Sequence, residues 1–74
     1  MTEALRTCLK EIRQRRGLTQ AELAARAGVS RKTINTVENG VFIPSTVLAL
    51  TLARVLETSV ETLFQLADGA APGD

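Results

Sequence analysis

Residues 19–40 read TQAELAARAGVSRKTINTVENG, and this stretch decides the fold of the chain. Thr19 and Glu22 have the spacing of a capping box that begins a helix, and Gly28 supplies the positive φ that ends it. Ser30 then caps a further helix, whose first residues are basic and polar. Two short helices around a tight glycine turn are typical of a helix-turn-helix, which inserts its second helix into the DNA major groove.

The residues on either side of this segment favour three more helices. An apolar stripe at helical spacing predicts a first helix over residues 3–16. Ser45 predicts the start of a fourth helix over residues 46–56, and Ser59 predicts a short fifth helix over residues 60–66. No stretch shows the alternation of apolar and polar residues that indicates a strand. The sequence therefore predicts an all-α chain with five helices.

Length and composition limit the classes to which the chain can belong. Its 74 residues allow one domain, predicted over residues 1–67, with a Gly- and Pro-rich tail or linker over residues 68–74. The sequence has neither an apolar run that spans a membrane nor a signal-peptide pattern. A single cysteine and no histidine exclude an intrachain disulfide and a cysteine-based zinc cluster. We therefore expect a cytoplasmic protein with no cofactor and no metal.

Charge is distributed unevenly, although the net charge of the chain is only +1. Residues 1–40 carry eight basic and four acidic side chains, a net charge of +4. Residues 41–74 carry one basic and four acidic side chains, a net charge of −3. A basic half attracts a phosphate backbone, while a solvated charged surface is an equally simple explanation of the same distribution.

Four segments carry a more specific resemblance, namely IRQRRGLTQAELA (residues 12–24), AGVS (27–30), TVENG (36–40) and PSTVLALTLARVLETSVETLF (44–64). Together they resemble the Cro/C1-type helix-turn-helix family, also called the XRE family, over about residues 5–66. The resemblance implies a compact five-helix bundle, a lambda-repressor-like domain that binds operator DNA as a homodimer. It also implies repression or autoregulation of transcription, with no catalysis.

The resemblance assigns DNA contacts residue by residue. Gln20 matches a position that contacts a backbone phosphate, often while bracing the third helix. Arg31, Lys32 and Thr33 match base-reading positions, as does Thr36 one turn later. An Arg fork suits a guanine edge and a Thr methyl suits a thymine methyl, whereas contact with phosphate alone is the alternative for the two cations. The predicted DNA-binding residues are Gln20, Ser30, Arg31, Lys32, Thr33, Asn35, Thr36 and Asn39.

Arg13 and Glu38 match a family ion pair that ties the first helix to the end of the third. We therefore interpret Glu38 as a structural residue rather than a DNA contact.

The predicted fourth helix is apolar nearly all round, which in so small a domain favours a surface shared with a partner. Relatives commonly have charged residues at the positions of Val47 and Thr51, and this departure strengthens the expectation. A two-fold interface needs only one self-complementary patch. Closure of the domain's own core by Phe42 and Val47 is the alternative. The predicted dimer interface comprises Phe42, Ile43, Val47, Leu48, Thr51 and Leu66.

A dimeric regulator that binds a pseudo-palindromic operator is therefore the leading interpretation, and two other classes compete with it. The second is an interaction module, either an antitoxin-like protein with a toxin partner or a DNA-binding module followed by a sensor domain. The third is an enzyme, but the sequence has no metal-ligand set, no histidine and no Gly-rich phosphate loop, so no catalytic residue is predicted.

Overall fold

The computed structural model describes residues 5–66 as five helices and a two-stranded antiparallel ribbon. The helices are α1 (Leu9–Arg15), α2 (Gln20–Ala27), α3 (Arg31–Glu38), α4 (Thr46–Val55) and α5 (Val60–Leu63). The strands are β1 (Leu5–Thr7) and β2 (Phe64–Leu66). The predicted five-helix bundle is thereby confirmed. The predicted tail over residues 68–74, and the domain boundary at residue 67, lie outside the described residues.

The ribbon corrects the prediction that the chain contains no strand. The first helix does not begin near residue 3, and the fifth helix ends at Leu63 instead of continuing to residue 66. Three-residue strands are too short to show an alternating pattern, and Leu5 also fits the apolar stripe of a longer helix. The ribbon brings the two ends of the described chain together, in the register Leu5–Leu66, Arg6–Gln65 and Thr7–Phe64.

The strand pairing passes directly into the start of α1. The Cys8 N–H donates to the carbonyl oxygen of Leu63 at 2.8 Å. The Thr7 hydroxyl oxygen accepts from the Leu9 N–H at 3.1 Å. These bonds satisfy two backbone donors that would otherwise be unpaired at the helix start, so α1 begins at Leu9 without a cap from the side chain of Cys8.

The core consists mainly of aliphatic side chains from all five helices. α2 packs against both α3 and α4, and Ala24 on α2 is small enough to let the helices approach closely. Burial of each large aliphatic side chain contributes about 1.5–3 kcal/mol relative to exposure, so packing carries most of the stability. The largest fully buried side chains are Leu9, Leu23, Ile34, Val37, Leu52, Leu56 and Leu63.

Caps fix the geometry of the helix-turn-helix. Thr19 Oγ1 accepts from the Glu22 N–H at 3.0 Å, and the Glu22 carboxylate accepts from the Thr19 N–H at 2.8 Å. Gly28, with φ of 76°, ends α2 in the left-handed conformation that favours glycine. Ser30 Oγ then accepts from the Thr33 N–H at 3.1 Å and begins α3. Only three residues separate the two helices, so the direction of α3 is set by α2.

No helix within residues 5–66 has both the length and the apolar character needed to cross a membrane.

Candidate nucleic-acid interface

The outer face of α3 carries most of the residues that the sequence predicts to contact DNA. Ile34 and Val37 are 0% and 1% exposed, so they turn this face of α3 towards the core and leave the opposite face to solvent. Gln20 lies apart, at the first position of α2. The structure places the other predicted contacts on α3 or its two caps, namely Ser30, Arg31, Lys32, Thr33, Asn35, Thr36 and Asn39.

The charged donors of this face are at its N-terminal end. Arg31 and Lys32 are both exposed in the first turn of α3, at the positive end of the helix dipole. Further along the helix, Asn39 Nδ2 donates to Asn35 Oδ1 at 2.8 Å. The face therefore offers an anion two cations and a helix N-terminus, with a pair of linked amides towards its C-terminal end.

A buried ion pair anchors α3 on the side that faces the core. Arg13 Nε donates to Glu38 Oε2 at 2.6 Å, and Arg13 Nη2 donates to Glu38 Oε1 at 3.3 Å. The two side chains are 9% and 3% exposed. Arg13 Nη1 also donates to the carbonyl oxygen of Leu18 at 2.8 Å. The structure thus brings together the two residues expected to pair, and Glu38 faces the interior rather than the exposed outer side of α3.

Gln20 is bonded to the same carboxylate. Its Nε2 donates to Glu38 Oε1 at 3.0 Å from the start of α2. Glu38 therefore receives hydrogen bonds from α1 and α2 while it belongs to α3, which fixes the relative positions of the three helices more narrowly than apolar packing alone. An amide nitrogen carries two hydrogens, so Gln20 keeps a second donor for an external acceptor.

The segment after α3 folds back over its outer face, which the sequence pattern does not predict. Gly40 has φ of 74°, and the N–H groups of Val41 and Phe42 both donate to the carbonyl oxygen of Thr36, at 3.0 and 3.2 Å. The fold-back creates an open notch beside α3. The notch is lined by Ser30, Lys32, Thr33, Thr36, Val41 and Phe42.

This fold-back separates two residues that the sequence analysis assigned to one interface. Phe42 lines the notch beside α3, whereas Ile43 lines a different, largely apolar cleft at the start of α4. Phe42 and Ile43 are both exposed but line different concavities, and their assignment to one dimer interface stays a prediction.

A second exposed apolar surface, the α4 patch, consists of Ile43, Val47 and Leu50, which are 66%, 75% and 57% exposed. Leu50 is absent from the predicted interface, and the apolar cleft at its side continues to Pro44 and Phe64. Leu48 is buried in the domain's own core, so its assignment to the interface is corrected. Because α4 is apolar on nearly every side, its sequence could not indicate which residues turn inwards.

The remaining predicted interface residues lie at the border of the α4 patch. Thr51 is half-buried and its hydroxyl donates to the carbonyl oxygen of Val47 at 2.8 Å. Leu66 is 52% exposed in β2 and is paired with Leu5, which lines the apolar cleft. Neither residue is buried in the core.

A short glycine turn between α2 and α3, with cations on the outer face of α3 and a buried ion pair behind it, defines a helix-turn-helix DNA-binding domain. A family model described as "Helix-turn-helix" matches residues 9–68. The chain belongs to the Cro/C1-type helix-turn-helix family of transcriptional regulators, as its sequence motifs predict.

The chain is similar to known transcriptional regulators and covers a different share of each one's length. An HTH-type transcriptional regulator of Methanothermobacter thermautotrophicus is 44% identical over 68 residues, which cover 90% of this chain and 99% of the relative. The Bacillus subtilis regulator of biofilm formation SinR, solved in complex with DNA, matches with a TM-score of 0.68 and 31% identity, over 73% of this chain and 87% of SinR. The clp gene regulator ClgR of Corynebacterium glutamicum matches with a TM-score of 0.69 and 30% identity, over 73% of this chain but only 57% of ClgR.

Proposed function

We propose that this protein is a homodimeric transcriptional repressor of the cytoplasm that reads a pseudo-palindromic operator with α3 in the major groove and performs no catalysis. The observation that carries the proposal is the outer face of α3, where Arg31 and Lys32 are exposed at the helix N-terminus. The buried carboxylate of Glu38 holds this helix in place through α1 and α2. The likeness to SinR, which was solved with DNA, supports DNA as the ligand.

In this proposal, Arg31 reads a base directly, and Gln20 fixes the register of the domain on the DNA backbone. A guanidinium group forms two parallel hydrogen bonds with O6 and N7 of guanine, a pattern that no other base pair presents in the major groove. The free N–H of the Gln20 amide binds a phosphate, which fixes the register of the domain without sequence information. Lys32 binds either a guanine edge or a phosphate.

The α4 patch supplies the dimer contact. Three large apolar side chains exposed together invite association, and a two-fold axis allows the same patch to serve both protomers. The contact places the two α3 helices about 34 Å apart, one turn of DNA, so that dimerisation selects the spacing of the half-sites.

Repression follows from occupation of an operator near a promoter, and autoregulation is the simplest case. A second candidate function uses the same α4 patch to hold a different protein, either a toxin or a sensor domain. The exposed apolar surface favours this candidate as much as it favours a second copy.

Selection of duplexes from a randomised pool by the purified protein tests the proposal. Enrichment of a pseudo-palindromic motif, with half-sites centred about ten base pairs apart, is the expected result. Recovery of unrelated sequences from successive rounds would contradict sequence-specific recognition. Enrichment of single half-sites, combined with a monomeric mass, would favour the second candidate function.

A further inference from the structure

We propose that Arg54 of one protomer forms an ion pair with Glu61 of the partner subunit, and that two such reciprocal pairs select a second copy of this chain as the occupant of the α4 patch. This inference rests on the proposed function, in which the apolar surface by itself fits a second copy and another protein equally well. The charges beside the patch decide between these two occupants.

The two sides of the α4 patch end in charges of opposite sign. Leu50 lies between two concavities, because it lines both the apolar cleft and a furrow on the outer side of α4. The furrow extends along α4 to Arg54, which is exposed. The cleft reaches Val60 on α5, next to the exposed side chain of Glu61. An uncharged centre is therefore bordered by a cation on one side and by a carboxylate on the other.

Neither of these charges is neutralised within its own protomer. Residues 41–66 contain three charged side chains, those of Arg54, Glu57 and Glu61. Glu57 pairs with Arg16 on α1, at an N–O distance of 3.2 Å. Within the described part of the chain, the side chains of Arg54 and Glu61 have no salt bridge and no hydrogen bond. Both therefore remain available to a partner.

A two-fold axis that passes between the two sides of the patch brings these charges together. Such an axis places each side of one protomer against the opposite side of the other, so every contact between two different residues occurs twice. Arg54 then faces the partner subunit's Glu61 at both edges of the contact. Another protein would need a carboxylate and a cation at matching positions, whereas a second copy supplies both.

The area that a specific interface needs also carries the contact out to these charges. An interface of standard size covers about 800 Å² on each partner, roughly a sixth of the 4966 Å² surface of this chain. The side chains of Ile43, Val47 and Leu50 cannot supply so much area, so the contact extends on both sides of Leu50. Charges at the rim of an interface mainly determine which partner is accepted, because like charges that face each other are penalised.

Charge reversal tests the pairing. Arg54→Glu and Glu61→Arg each place like charges opposite one another at both edges of a homodimer. Each should raise the dimer dissociation constant about tenfold, because two attractions are lost and two repulsions are gained. The double variant, Arg54→Glu with Glu61→Arg, exchanges the charges and should return to within about threefold of the wild type. Sedimentation equilibrium at one low salt concentration measures all four dissociation constants.

A mixture of the two single variants shows whether the pairing crosses between protomers. The Arg54→Glu protomer carries a carboxylate on both sides of its patch, and the Glu61→Arg protomer carries a cation on both sides. Only their heterodimer has opposite charges at both edges. With a fluorophore on one variant, the heterodimer should form with a dissociation constant within about threefold of the wild-type dimer. Pairing inside one protomer could not be restored in this way.

Two other reversals serve as matched controls. Arg26 lies in the last turn of α2 as Arg54 does in α4, and Glu11 lies in the first turn of α1 as Glu61 does in α5. Arg26→Glu and Glu11→Arg therefore repeat the changes in net charge and in interaction with the helix dipole, away from both concavities. Each should change the dimer dissociation constant by less than about twofold.

The outcomes separate this inference from the proposed function. Single reversals that act no more strongly than the controls would assign Arg54 and Glu61 to their own helix ends, and would overturn the ion pairs while the dimer stands. Weakening that neither the double variant nor the mixture repairs would show that the two charges do not meet, and would overturn the ion pairs as well. A wild type that is monomeric at all concentrations overturns the dimer of the proposed function, and the ion pairs with it.

Discussion

Arg13 Nε lies 2.6 Å from Glu38 Oε2, and this buried ion pair joins α1 to the C-terminal end of α3. The carboxylate also accepts from Arg13 Nη2 and from Gln20 Nε2, so it receives three hydrogen bonds from α1 and α2. Removal of Arg13 or Glu38 leaves the opposite charge unpaired in a site that is nearly closed to water. The orientation of α3 therefore depends on an electrostatic contact as well as on apolar packing.

We expect Glu38→Ala to lower the free energy of unfolding by about 3–5 kcal/mol, because it leaves the Arg13 guanidinium buried without its counter-charge. Glu38→Gln should cost less, since an amide oxygen still accepts from Arg13. The exposed pair Arg16–Glu57, with N–O distance 3.2 Å, is the matched control and should contribute no more than about 1 kcal/mol. Double-mutant cycles in urea measure both couplings, and equal couplings would contradict a dominant buried pair.

Substitution of Arg31 should change specificity at one base position, whereas substitution of Gln20 should weaken binding to all sequences more uniformly. Arg31→Ala is expected to weaken operator binding by about 1–3 kcal/mol and to relax the preference at one base position of each half-site. Gln20→Ala should weaken binding to selected and shuffled duplexes more uniformly than Arg31→Ala does. Arg15→Ala removes an equal charge from the exposed end of α1 and serves as the control. An Arg31→Ala loss that is uniform over all base variants would reassign Arg31 to phosphate.

Charge placed in the α4 patch should dissociate the proposed dimer without unfolding the protomer. Val47→Glu and Leu50→Glu replace exposed side chains, so their helical circular dichroism and melting temperature should stay near those of the wild type. Leu48→Glu buries a charge in the core and should unfold the domain. Light scattering from micromolar concentrations upwards reports the mass. A monomeric wild type at all concentrations, or unfolding of Val47→Glu, would count against this interface.

Acid should remove the contribution of the α2 capping box. The hydrogen bond from the Thr19 N–H, followed by that from its side chain, lowers the pKa of the Glu22 carboxyl below its ordinary value. The stabilisation is therefore present above the ordinary pKa of a glutamate carboxyl, and it is lost as the pH falls through the lower folded-state pKa. Glu22→Gln keeps an acceptor but does not titrate. Its melting temperature should therefore fall less than that of the wild type when the pH is lowered from about 6 to about 3 at the same salt concentration. Parallel curves for the two proteins would exclude Glu22 as a source of acid sensitivity.

Four of the five helix starts, those of α2 to α5, were predictable because their signals are local. Thr19, Ser30, Ser45 and Ser59 each precede a helix in the sequence, and each side chain accepts from the backbone N–H three residues later. The strands were not predictable, since Leu5–Thr7 pairs with residues at the opposite end of the described chain and three residues carry no period. Only the assembled fold brings these segments together.

The candidate site was predictable in part for the same physical reason. The outer face of α3 follows from helical spacing, because Ile34 and Val37 identify the inner face. The sequence does not show that Leu48 faces the core and Leu50 faces solvent, since an apolar residue on either side of α4 gives the same local signal. The packing of α4 against α2 and α5 determines which side of α4 is buried. The chain reversal at Gly40, which places Val41 and Phe42 beside α3, is likewise visible only in the fold.

The most direct test of the account is an equilibrium titration of the selected duplex and of a shuffled duplex with the same composition, in one buffer at one salt concentration. Electrostatic attraction to phosphate acts on both duplexes alike, so the ratio of their dissociation constants isolates readout by α3. A ratio of about a thousandfold or more in favour of the selected duplex is the predicted result. Equal dissociation constants would contradict the claim that this helix-turn-helix reads sequence, and would leave a domain that only attracts DNA.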